Sequence, residues 1–125
     1  MSVPTGADRG AVDLSIEMLF GTVVALLVML LVFDASAYWH ARNVFDDAAA
    51  DGVRIAAAHG GRCDDAVAAT RDAIEQHAGG WGRDATVSCI DGPVVSVTVE
   101  GSTPGVLSGG VGLRASVTES QPREP

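Results

Sequence analysis

Lysine is absent from this chain, and its 8 basic residues, all arginine, face 16 acidic ones for a net charge of −8. The arginines stand dispersed at positions 9, 42, 54, 62, 71, 83, 114 and 123. A phosphate-binding surface needs clustered cations, so nucleic acid is excluded as a partner. The acidic excess reads as a solvated surface. Aromatic residues make up 5%, and there are 2 cysteines, Cys63 and Cys89. Two cysteines close one disulfide, which suits a small domain in an oxidising compartment, or else stand as buried free thiols. Of the 125 residues, those after the first 40 or so leave roughly 85 for a folded domain, near the lower limit for an independent core.

What is present is one long apolar run, IEMLFGTVVALLVMLLVFDASAYW, over residues 16–39. Between Met18 and Phe33 it has no charge and almost nothing polar. A helix rises about 1.5 Å per residue, so about 20 residues cross the roughly 30 Å hydrocarbon layer of a bilayer, and this run supplies them. A secretory signal would end in a small-x-small cleavage site, whereas here Asp34 follows and helical rhythm continues. Tyr38 and Trp39 fit an interfacial aromatic belt, and Gly21 and Ala25 have the small-xxx-small spacing of closely packed membrane helices. Glu17, at the edge of the run, is an isolated carboxylate whose position near lipid calls for a partner or a function. The preceding residues, MSVPTGADRGAVD, are expected to be disordered.

Beyond Asp34, the positions Tyr38, Ala41, Phe45, Ala48, Gly52 and Ile55 recur at spacings of 3 and 4, forming one helical stripe before the stop at Gly60 and Gly61. One helix from about Leu14 to His59 is expected. Its stripe is suited either to the domain's own core or to another subunit. A second helix is expected from Asp64 or Asp65 to His77, with Val67, Thr70, Ile74 and Ala78 facing inward, the aspartates capping its start and Gly79 and Gly80 ending it. The chain then turns Val- and Thr-rich. ATVSCI and VVSVTVE flank the turn Asp91-Gly92-Pro93, and a third alternating run spans residues 111–118. The fold class is therefore α+β: a long N-terminal helix, a short second helix and a three-stranded antiparallel sheet. A bridge between Cys63 and Cys89 would join the start of the second helix to the first strand, contributing roughly 3 kcal/mol. A bridged domain lies outside the membrane, which makes the leader cytoplasmic.

No catalytic constellation emerges. His40, His59 and His77 are scattered, without metal-ligand spacing to one another or to a cysteine. The acidic pairs Asp46-Asp47 and Asp64-Asp65 are sequence neighbours, which diverge by about 100° on a helix. No nucleophile stands beside a base, so no enzyme, metal or cofactor is expected.

The residues Asp8-Arg9-Gly10-Ala11-Val12, Glu17, Tyr38-Trp39-His40-Ala41-Arg42-Asn43-Val44 and the block AAADGVRIAAA over 48–58 resemble the TadE-like minor pilins, or pseudopilins, of tight-adherence type IV pilus systems. The resemblance covers about residues 8–60, and the arginine-only, Ala/Gly/Asp-rich composition resembles that of a high-GC actinobacterial protein. It implies a pilin-like subunit of a pilus or type II secretion-like apparatus, with the bilayer, other pilin subunits and assembly proteins as partners. It further implies prepilin-peptidase cleavage between Gly10 and Ala11, and a glutamate that assists subunit recruitment. That glutamate is fifth in the family's mature chain, whereas Glu17 is seventh counting from Ala11, with Ser15 at the fifth place. The expected organisation is a cytoplasmic leader over 1–13, a transmembrane helix over 14–39, an extracytoplasmic α+β domain over 40–118 and a disordered tail over 119–125.

Overall fold

The computed structural model describes residues 5–105 and 110–125, with side chains over 12–105 and from 113 onward. Helix α1 spans Thr5–Ala57 and α2 spans Cys63–Ala78, followed by a 3-10 turn at Gly79–Gly82. Strands β1, Thr86–Ile90, β2, Val94–Gly105, and β3, Gly110–Pro122, form one antiparallel sheet in the order β1-β2-β3. The fold is the expected α+β arrangement. The chain divides into two units, the first ending at Phe33 and the second covering Asp34–Pro125.

In the first unit α1 begins earlier than expected, so residues 5–13 of the leader are helical rather than disordered. No proline follows Pro4 in this stretch, and once the apolar segment is helical each added residue gains a hydrogen bond without a new nucleation cost. The large apolar side chains of this unit point into open space. Met18 is 72% exposed and Phe20 70%, and nothing lies within 4 Å of the position a Cβ would take at Gly21.

The second unit is built on the alternation of β2. Val95, Val97 and Val99 are fully buried, and Ala115 and Val117 of β3 extend the same face. Clustered with it is one side of α1, with Phe45, Ala48, Ala49, Val53, Ala56 and Ala57, and Ala41 one turn earlier is also buried. Small residues let the helix seat closely on the valines. Of the six-residue stripe, Tyr38 packs at the edge of this core, Ala41, Phe45, Ala48 and Gly52 are buried, and Ile55 is 39% exposed. The buried row passes through Val53 and Ala56 instead, because continued spacings of 3 and 4 drift around a helix of 3.6 residues per turn. Tyr38 thus belongs to the domain core, while Trp39 is exposed.

Helix α2 presents Ala66, Thr70, Ile74 and Ala78 inward, with Val67 half-buried. It starts at Cys63 with Arg62 as its N-cap and no side-chain cap bond, so Asp64 and Asp65 lie inside the first turn and act through the dipole rather than as caps. The 3-10 turn brings Trp81 onto Phe45, with ring centroids 5.6 Å apart and planes at 53°. The sheet is the expected antiparallel meander, and its register sets Cys89 opposite Val97 and Val97 opposite Glu119. Register shifts between Ser102 and Pro104, where proline has no N–H for the ladder. The expected disordered tail is instead the end of β3, which pairs with β2 as far as Pro122 opposite Val94. Polar Glu119, Ser120 and Gln121 concealed this, because backbone pairing with a long β2 needs no apolar side chain. The sequence VLSGGVG over residues 106–112 reads as a flexible turn between strands, and its first four residues lie outside the described residues.

Helices α1 and α2 approach closely at Gly52. A Cβ at Gly52 would stand 2.0 Å from Thr70 Oγ1 and 3.2 Å from the Ala66 carbonyl oxygen, and Thr70 Oγ1 already donates to that carbonyl at 2.8 Å. Gly52→Ala gains about 1 kcal/mol of helix propensity but meets an overpacking cost of about 1–3 kcal/mol and disturbs a buried hydrogen bond. A lowered thermal midpoint is expected, partly restored in the double variant with Thr70→Ala. A midpoint unchanged or raised by the single substitution would show that α2 gives way freely.

Candidate functional site

Two regions carry features beyond packing. The first is the apolar segment of α1. It is long and apolar enough to cross a membrane, and its most apolar stretch is 0% buried. Glu17 is exposed on it, between Ile16, 60% exposed, and Met18. The next ionisable residue along the chain is Asp34. Thr22 Oγ1 donates to the Met18 carbonyl at 2.8 Å, so this hydroxyl is satisfied within the helix. Gly21 and Ala25 are exposed on the same segment. Gly10 and Ala11 lie in the first turns of α1, and their side chains are outside the described residues.

The second region is a corner of the domain where four pieces of chain meet. Cys63 and Cys89 form a disulfide across a Cα–Cα distance of 5.6 Å, tying the start of α2 to β1. The chain reaches this corner from α1 through Gly60, at φ 75°, and Gly61, where a Cβ would stand 2.1 Å from the Ile55 carbonyl oxygen. Glycine is required there by close backbone approach.

The last residues close the same corner. Arg123 Nη2 pairs with Asp91 Oδ1, Arg123 Nη1 donates to the Gly61 carbonyl at 3.3 Å, and Arg123 Nε to the Gly92 carbonyl at 3.4 Å. The backbone N–H of Arg123 donates to Pro93 O at 2.9 Å and that of Glu124 to Ala57 O at 2.8 Å. His59 Nδ1 lies 2.9 Å from Pro125 O. One arginine thus joins the α1–α2 connection to the β1–β2 turn. Its position near the chain end, after a proline, gave no sequence signal for this role.

Two carboxyl groups have opposite environments. The Arg123 guanidinium and then the Gly92 N–H, 2.8 Å from Oδ1, hold Asp91 below its ordinary value of 3.8. Glu119 of β3 is raised above its ordinary 4.5, first by a hydrogen bond with Asp46 of α1, then by partial burial and the Asp46 charge. The remaining histidines are exposed, and His77 Nδ1 lies 2.9 Å from Ala73 O of its own helix. Among the described residues, no group of three His, Cys, Asp or Glu is placed to hold a metal ion.

These parts define a class of protein: one exposed, span-length apolar helix with an isolated acidic residue, joined to a small disulfide-tied α+β domain. Over residues 14–54 the chain matches the family described as TadE-like protein, which bears out the resemblance in its sequence. That range holds Glu17, the apolar segment and most of the α1 face buried in the domain core. Comparison with curated proteins and with solved structures gave no match.

Removing the bridge with Cys63→Ser and Cys89→Ser is expected to cost roughly 3 kcal/mol, read as a lowered unfolding midpoint. The native thiols are expected to resist maleimide until reduced. The two carboxyls predict opposite pH responses. The Asp91 contribution is present above pH 3.8 and is lost as pH falls through its lower folded value. The Glu119 contribution is present below pH 4.5 and is lost as pH rises through its raised value. Glu119→Gln should therefore flatten the midpoint profile between mildly acidic and neutral pH, and Arg123→Ala should flatten it on the strongly acidic side.

Proposed function

We propose that this protein is a non-enzymatic, membrane-anchored minor pilin or pseudopilin that takes part in assembling a tight-adherence type pilus or related secretion apparatus. The observation that carries this reading is Glu17, an exposed carboxylate at the edge of an apolar run with no other ionisable residue from Leu14 to Phe33, within the segment that matches the TadE-like family. The span sits in the cell membrane, with the N-terminus cytoplasmic and the disulfide-tied domain outside. An exposed carboxylate bordered by apolar side chains loses hydration as helices stack, and a neighbouring subunit's N-terminal amine would offset that loss as a charge pair. Prepilin peptidase would free that amine by cutting between Gly10 and Ala11. The buried face of α1, from Ala41 to Ala57, serves the domain's own core, which leaves Gly21, Ala25 and the apolar segment for lipid and for other pilin subunits.

A second reading rests on the spacing of Glu17, seventh from Ala11 rather than fifth. In it the chain keeps its leader and acts as a single-pass anchored accessory or binding protein outside any filament. Intact-mass measurement on the membrane-extracted protein separates the two. Loss of residues 1–10 is expected for the pilin reading, and a full-length chain favours the anchor. In the pilin reading, Glu17→Ala leaves the protein in the membrane but sharply reduces its recovery with surface filaments or their assembly complex. Undiminished recovery of that variant would refute the assembly role of Glu17.

A further inference from the structure

The sequence contains Asp-Gly twice, at Asp51-Gly52 and Asp91-Gly92. This dipeptide is the one most prone to spontaneous isomerisation, because glycine offers no side chain to hinder attack of its nitrogen on the preceding carboxyl carbon. The fold treats the two copies differently. Asp51-Gly52 lies inside α1, where Gly52 is buried against Thr70 and its N–H belongs to the helix ladder. Asp91-Gly92 lies between β1 and β2, with the Asp91 side chain 62% exposed. Gly92 has φ 153°, a conformation that glycine adopts readily, and its N–H is 2.8 Å from Asp91 Oδ1. Nitrogen and carboxyl group are therefore already neighbours in an exposed turn.

We propose that Asp91-Gly92 is a site of spontaneous isoaspartate formation and that Arg123 restrains its rate. In the first step the Gly92 nitrogen bonds to Asp91 Cγ. A Cγ–O bond breaks, and that oxygen leaves as water with the amide proton and a carboxyl proton, closing a succinimide. Water then opens the ring. Cleavage of the bond from nitrogen to the Asp91 main-chain carbonyl carbon leaves the chain running through Cγ, whereas cleavage at Cγ restores aspartate. No oxidant or cofactor is consumed, and the product has the composition of the starting chain.

Arg123 opposes the first step in two ways. Its guanidinium pairs with the carboxylate oxygen and favours the ionised form, which is a poor acyl donor. Its bonds to the Gly92 and Pro93 carbonyls also hold the turn against the rotation that would carry the nitrogen over Cγ. Isomerisation would insert one atom into the backbone of the turn and draw the carboxylate away from Arg123. The strap formed by the last residues would then lose its side-chain anchor.

The test is prolonged incubation of the full chain in detergent at neutral pH, with isoaspartate read by peptide mapping and by carboxyl methyltransferase labelling. Accumulation at Asp91 with none at Asp51 is expected, several-fold faster in Arg123→Ala and at an intermediate rate in Arg123→Lys. Asp51 reports unfolding within the same molecule, since a loosened α1 would expose it as well. No isoaspartate at Asp91, or equal amounts at the two sites, would overturn the assignment of the site. An unchanged rate in Arg123→Ala would overturn the role of Arg123.

Discussion

The close seating of α1 on the sheet is the contact on which the rest of the domain depends. Its face is mostly alanine, and Val95, Val97 and Val99 oppose it, with Phe45 the largest fully buried side chain. At about 25 cal/mol per Å² of apolar surface, each alanine gives little stabilisation, and the valines carry more of it. Such a core succeeds only by close approach, which is why Gly52 must lie against Thr70 and why Trp81 is brought over Phe45. A small core also leaves the chain's margins weakly held. The disulfide and the Arg123 contacts both act at the corner where α1 ends, α2 begins and β1 turns into β2.

The elements with a strong period were legible in the sequence. Alternation at Val95, Val97 and Val99 set the buried face of β2, the Asp91-Gly92-Pro93 turn set the hairpin, and helical spacing placed Ala41, Phe45 and Ala48 on one side of α1. What escaped was structure without a side-chain period. The end of β3 is polar and is held by backbone pairing, and the Gly79–Gly82 turn reads as a plain helix stop until Trp81 is seen on Phe45. The early start of α1 was hidden for a related reason. Polar residues 5–13 have no face to bury, yet they extend a helix already formed. In the candidate site, Cys63 and Cys89 and the isolation of Glu17 could be read directly. The part played by Arg123 could not, because it depends on a chain end returning to a turn some thirty residues earlier.

Excess negative charge sets a second constraint. With 16 acidic residues against 8 basic ones, most carboxylates must be carried by solvent. Asp91 is an exception that gains a cation and a backbone donor, and this is where the last residues are fastened. Glu119 is the opposite case, set beside Asp46 across the α1–β3 contact. The pairing of β2 with β3 brings Glu119 there whether or not its charge is welcome, since Val117 two residues earlier must face the core. The apolar pattern therefore takes precedence over local charge in fixing the register, as expected where a one-residue slip would turn every buried side chain outward.

Helix α1 meets two environments along its length, and its composition changes accordingly. From Ala41 to Ala57 small residues on one side meet the valine sheet, with Arg42, Asp47, Asp51 and Arg54 exposed around them. From Val12 to Phe33 the large apolar residues point in every direction and none is buried in the domain core. A helix apolar all round belongs in lipid or within a bundle, because there its backbone groups are satisfied internally and no face asks for water. Between Leu14 and Phe33 the one ionisable residue is Glu17, for which lipid alone is a poor environment. That carboxylate needs water or a positive partner, a need that the apolar neighbours on its own helix do not meet.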